Sequence, residues 1–152
     1  MKKFFSLLTC LLLVCNIFVY PVAAMEIAES DQIVVSQSVE NLGNGCYFIE
    51  TIYTPAVQSR SAKTGTKVAE YITTGQTIFT VSVTGTFTYD GSSSDATSSS
   101  CSVATYVQSA TITGKRAYTS GASACGFGSV SYNGATLQKT VTLTCDKNGN
   151  LS

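Results

Sequence analysis

The sequence has 152 residues, a formal net charge of zero and 12% charged side chains, against a usual share of about 25%. Serine and threonine supply 41 residues, and there is no histidine and no tryptophan. Without an imidazole the chain cannot be a Ser-His-Asp or Cys-His hydrolase, hold a histidine-ligated metal or run imidazole acid–base chemistry.

Residues 1–24 read as a signal peptide. Lys2 and Lys3 form a positive start, Phe4–Tyr20 is apolar apart from Ser6, Thr9 and Asn16, and Val22-Ala23-Ala24 supplies small residues for cleavage after Ala24. The apolar run is shorter than the roughly 20 residues that span a bilayer, and Val14 before Cys15 is a poor lipoprotein signal. No second apolar stretch and no wall-sorting motif follow. The expectation is a secreted, extracellular chain, Met25–Ser152, with no membrane attachment after cleavage. Removing Lys2 and Lys3 leaves seven basic against nine acidic residues, near −2. No basic patch remains to bind phosphates, so nucleic acid is excluded as a partner.

Residues 25–62 read as one or more N-terminal strands and a linker. Ile33-Val34-Val35 is a short apolar piece within an acidic lead-in. Cys46–Thr54 is rich in β-formers and ends at Pro55, and Ala56–Thr66 is small and polar. Residues 63–152 read as the core domain. Lys67–Thr73 pairs through Thr74-Gly75 with Gln76–Tyr89. There Phe79, Val81, Val83, Phe87 and Tyr89 alternate with hydroxyl residues at period two, giving one apolar and one wet face. Gly85 falls on the apolar face and predicts a bulge or bend. Ser92–Ser100 reads as an exposed serine-rich loop, Ser102–Thr113 as strand, and Gly121–Gly128 as a glycine-rich segment around Cys125. Val130–Tyr132, the turn Asn133-Gly134 and Leu137–Cys145 form a last hairpin. The sum is an all-β domain: an Ig-like antiparallel β-sandwich of six to eight strands. The likeness is loose, since the core Trp of antibody-type domains is missing and Leu143 stands where their Tyr would be.

Cys10 and Cys15 leave with the signal. Cys46, Cys101, Cys125 and Cys145 remain, and an even number in a small exported domain predicts two disulfides, with three pairings open. Their wide spacing does not suit a zinc site, which wants close pairs. No cofactor is expected.

The segments Lys63–Lys67, Phe79–Ser92 and Val141–Ser152 together resemble small secreted proteins of Gram-positive, mostly clostridial, gut bacteria. The likeness runs from about Lys63 to the end and carries no catalytic signature. It implies a Cys101–Cys145 bridge, leaving Cys46–Cys125. It implies no function. Relatives tend to carry a Trp before the long strand where this chain has Ile78.

Asp146-Lys147-Asn148-Gly149-Asn150 has the start of a calcium-loop rhythm, but its glycine is fourth rather than sixth and no twelfth ligand follows, so it reads as a turn. The acids do not mark a facing glycosidase pair, and no lysine lies in an apolar setting near a serine. A Lys–Asn isopeptide link using Lys139 or Lys67 with Glu70 is conceivable. Tyr89, Tyr106, Tyr118 and Tyr132 form a possible ligand face for sugar stacking, and Asp90, Asp95 and Asp146 a possible anionic cleft. The functional expectation is a secreted, non-catalytic binding module for an unknown extracellular ligand or protein. The alternative is a carbohydrate- or cell-wall-binding, antibacterial module, and a two-carboxylate hydrolase is the third reading.

Overall fold

Three two-residue turns fold the chain back on itself. Asn44, Thr74 and Asn133 have φ of 53°, 52° and 50°, and the glycine after each is also positive. Two successive positive φ values give the turn whose twist matches that of paired strands. In the computed structural model, which describes residues 31–152, these turns help connect eight strands: β1 (Gln32–Gly43), β2 (Cys46–Pro55), β3 (Ala62–Thr73), β4 (Gln76–Tyr89), β5 (Ser94–Thr105), β6 (Ala110–Ser120), β7 (Ser123–Tyr132) and β8 (Ala135–Thr144). The signal-peptide reading of residues 1–24 lies outside the described residues.

Strands β1 to β5 form one antiparallel sheet in sequence order, and β6 to β8 a second. The all-β antiparallel sandwich is therefore the fold, with the upper end of the expected strand number. Its connectivity is two successive meanders rather than interleaved strands, so the Ig likeness is one of architecture.

Period-two alternation decides what lies between the sheets. Phe79, Val81, Val83 and Phe87 of β4 are completely buried, and Val130, Val141 and Leu143 meet them from β7 and β8. Each such side chain contributes about 1.5–3 kcal/mol by leaving water. The small sheet covers β3, β4 and β5. Beyond Thr144 the chain turns at Gly149 and Leu151 bridges back to Cys145, closing one end of the core with Leu151 buried.

Gly85 departs from its expected role. It pairs in regular register with Gly65 and Ser99, and the bulge falls one step later, between Thr86 and Phe87. A Cβ at Gly85 would lie 2.5 Å from Ala124 Cβ of β7, and one at Gly128 would lie 2.5 Å from Val81 Cγ2 of β4 and 2.9 Å from Val103 Cγ2 of β5. These glycines let the sheets approach closely.

The serine-rich tract also departs from its reading. Ser94–Ser100 belongs to β5, held by a ladder to β4 from Tyr89↔Ser94 to Phe79↔Thr105. Low β-propensity yields there to the neighbouring strand and to a solvated outer face that tolerates hydroxyls. The run Ser102–Thr113 is not continuous strand but the end of β5, a turn and the start of β6, and the glycine-rich segment is the Gly121-Ala122 turn followed by the first part of β7.

Candidate functional site: the uncovered edge of the large sheet

Among the described residues the cysteines do not pair. All four are free thiols, which corrects the two disulfides expected at Cys46, Cys101, Cys125 and Cys145. Alternation and strand position explain it. Cys101 points inward, its Sγ 3.5 Å from the Phe127 carbonyl. The Cys145 carbonyl instead accepts a hydrogen bond from the Ser94 hydroxyl, at the far end of β5. Seven residues of extended strand separate Ser94 from Cys101, roughly 23 Å, far beyond the 7 Å or so that a bridge tolerates between Cα atoms. Cys125 is on the outward face of the small sheet beside Thr142, with Sγ 3.8 Å from its Oγ1. Cys46 opens β2 on the other sheet, with Sγ 3.3 Å from Thr73 Oγ1. Neither implied bridge can close.

The four tyrosines do not share a face. Tyr106 is 60% exposed on the outer side of the large sheet, its hydroxyl 3.5 Å from Thr80 Oγ1. Tyr118 lies on the outer side of the small sheet, with the Arg116 guanidinium 5.3 Å from its ring. Tyr89 and Tyr132 are half-buried against the core. The expected stacking platform of Tyr89, Tyr106, Tyr118 and Tyr132 is not assembled. Asp90 and Asp95 do line one open recess of about 340 Å³. Asp90 Oδ1 is already engaged by the backbone N–H groups of Ser92 and Ser93, both at 2.8 Å. Asp146 likewise accepts from Asn148 and Asn150 N–H groups at 2.8 Å. These bonds hold both carboxyls below their ordinary range: Ser93 and Ser92 lead at Asp90, the Asn150 side chain at Asp146. The terminal Asp–Asn rhythm is thus a turn closed by its own carboxylate.

The hydroxyl rows form rungs. Thr66 and Thr84 hydroxyls lie 2.8 Å apart, and Thr64 and Thr86 3.3 Å apart, on the outer face of the large sheet. Glu70, Thr80, Ser82, Ser102 and Tyr106 border a shallow depression of about 720 Å³ on that face.

Three charges occupy positions where alternation places core residues. Glu50 falls between Phe48 and Ile52 in β2, Lys67 beside it in β3, and Lys139 between Leu137 and Val141 in β8. Lys139 Nζ lies 2.9 Å from Glu50 Oε1 and 2.6 Å from Glu40 Oε2, and Lys67 Nζ lies 3.3 Å from Glu50 Oε2. Lys139 also sits 4.4 Å over the Phe48 ring. Burial alone would raise the Glu50 carboxyl, but the Lys139 hydrogen bond and the charges of Lys67 and Lys139 outweigh it and hold it below its ordinary 4.5. Both lysines of the conceived isopeptide link therefore meet Glu50, not Glu70, and their ion pairs are with carboxylates rather than an asparagine. The signal was legible in principle, since a charge in core phase on three strands asks for a partner in core phase.

Lys139 stands at the rim of an open groove of about 440 Å³, bordered by Glu40, Leu42, Cys46, Phe48 and Tyr71. The groove exists because β1 and β2 extend past the small sheet. Apart from the Glu40–Lys139 pair, β1 packs on β2. All 12 of its residues are exposed. Ile33, Val34, Val35, Val39 and Leu42 are 53%, 55%, 44%, 65% and 49% exposed, and among the described residues one side of the strand has no neighbour in the sheet. Sequence reading took only Ile33–Val35 from this strand, because Ser36–Glu40 is too polar to announce itself.

No family model, no curated protein and no solved structure matches the chain.

Proposed function

We propose that the chain is a non-catalytic interaction module that works outside the cell and engages its partner by strand addition at β1. The exposure of all 12 residues of this edge strand carries the reading. A long edge with free backbone N–H and C=O groups and bare apolar side chains is a template for a further strand, which folded proteins otherwise shorten, charge or cover. Backbone hydrogen bonds would supply affinity, and alternate side chains specificity. The export reading of residues 1–24 supports the extracellular setting. The alternative of sugar stacking loses its support with the scattering of the four tyrosines.

A microarray of extended decapeptides with alternating apolar and polar residues tests this. The protein should bind a subset, and Val39→Pro, which removes a backbone donor mid-strand, should abolish that binding while leaving the thermal midpoint unchanged. Absence of binding, or binding indifferent to Val39→Pro, would overturn the proposal.

A further inference from the structure

Resting on the strand-addition reading, we infer that the partner at β1 is a second copy of this chain, joined through Ser36–Leu42 about a two-fold axis at Val39. β1 contains one bulge, between Val34 and Ser36, and its next irregularity follows Asn41. Between them lies a regular stretch in which each side chain's face is fixed by its partner in β2. Gln37, Val39 and Asn41 share the outer face with Thr51, Ile49 and Tyr47, while Ser38 and Glu40 share the inner face with Glu50 and Phe48.

An antiparallel copy centred on Val39 places Val39 against Val39, Gln37 opposite the other copy's Asn41, and Ser38 opposite its Glu40. Every pair then meets on one face, as a ladder requires. The pairs are chemically matched as well. Gln37 spends its Nε2 donor on Thr51 Oγ1, at 3.2 Å, and keeps Oε1 as an acceptor. Asn41 spends its Oδ1 acceptor on the Gly43 N–H, at 2.8 Å, and keeps Nδ2 as a donor. Opposed across the axis, the two amides complete each other, twice by symmetry. Glu40 gives Oε2 to Lys139 and keeps Oε1 for the Ser38 hydroxyl of the other copy. No two like charges stand directly opposite, and Val39, the most exposed large apolar side chain of the strand at 65%, is covered. The strands of the small sheet lie over β3 to β5, and the Lys139 side chain, which holds Glu40 on the inner face, is what reaches the seam from β8. The product is one continuous ten-stranded sheet with an isologous interface, which closes at two copies instead of growing into a fibre.

Sedimentation equilibrium of the purified protein from roughly 1 to 500 µM tests this, beside the decapeptide array. A concentration-dependent dimer is expected. Val39→Lys, which brings two ammonium groups together at the axis, should weaken it at least tenfold, and Val57→Lys, at a site 89% exposed outside the strands, should not. Far-ultraviolet circular dichroism identical to that of the parent, and thermal midpoints matching it at concentrations where the parent is monomeric, would show both variants folded. Under mild oxidation Val39→Cys should give a covalent dimer, because directly opposed Cα atoms lie about 4.5–5.5 Å apart. Gln37→Cys should not, since its symmetry mate is roughly 14 Å away. A monomer throughout the range, or a dimer indifferent to Val39→Lys, overturns the second-copy inference. If the array still shows binding lost in Val39→Pro, strand addition stands with another partner; if it shows none, both fall.

Discussion

Lys139 of β8 crosses the space between the sheets to Glu50 of β2, its Nζ 2.9 Å from Oε1. This contact ties the rim of the small sheet to the part of the large sheet that it does not cover. Glu50 is held from its other side by Lys67, and Lys139 from its other side by Glu40. Removing one member leaves its partner half-buried and under-compensated. Lys139→Met, which keeps the stem over Phe48, should cost about 1–3 kcal/mol in urea unfolding. Adding Glu50→Gln to Lys139→Met should cost less than the sum of the single changes, since the charge that suffers is then gone. Strict additivity would show that the two residues do not interact.

The same pair sets a pH dependence with two limbs. Glu50 has a lowered pKa in the folded chain, so its contribution is present above its ordinary 4.5 and is lost as pH falls through the lowered value. At Lys139 burial acts to lower the pKa, but the hydrogen bonds to Glu40 and Glu50 outweigh it and raise the pKa above 10.5. Its contribution is present below 10.5 and is lost as pH rises through the raised value. Thermal midpoints should therefore form a plateau between these limits. Glu50→Gln should flatten the acid limb in part, because Asp90 and Asp146, also held low, retain a share of it. An acid limb identical to that of the parent protein would contradict the assignment.

Much of this architecture was readable from alternation alone. The Phe79–Tyr89 and Leu137–Thr144 patterns name their buried faces correctly, and Asn133-Gly134 names its turn. The serine tract was not readable, because its strand character comes from the β4 ladder and not from its own side chains. The thiols were misread because an even count says nothing about which side of which sheet each one faces. The edge was missed because exposure of β1 depends on how far the three-stranded sheet reaches, a tertiary fact that no local pattern contains.

Thiol reactivity should rank by environment. Hydrogen bonds from Thr73 and Tyr71 hold Cys46 below its ordinary 9.0, whereas burial raises Cys101 and Cys145. Cys46 should react first with iodoacetamide in the native protein, and all four thiols should titrate in denaturant. Its Tyr71 partner, pushed up to about 12 chiefly by the hydrogen bond with Cys46, should ionise late by ultraviolet titration, and earlier once Cys46→Ala removes that bond. Fewer than four titratable thiols would reinstate a disulfide.

Close approach of the sheets can be tested at β7. In Gly128→Ala the new methyl would lie 2.9 Å from Val103 Cγ2 and 3.2 Å from Val81 Cγ1, so the strand must shift. The expected loss is about 1–3 kcal/mol. A neutral or stabilising result in chemical denaturation would mean that the layers are further apart than described.

Thr74 holds φ at 52°, a region that β-branched residues rarely occupy. Thr74→Asn should relieve that strain and give the β3–β4 hairpin the dipeptide its turn favours, raising stability by about 1 kcal/mol. Unaltered stability in urea unfolding would mean that the turn has another geometry in solution.

Amide hydrogen exchange at high dilution bears most directly on the open edge. Exchange should be slow through β3, β4 and β7 and fast for the β1 amides that face away from β2, with β1 protection rising as the protein is concentrated. Slow exchange across the whole of β1 in the most dilute sample would contradict this expectation, because that edge would then already be covered within a single chain.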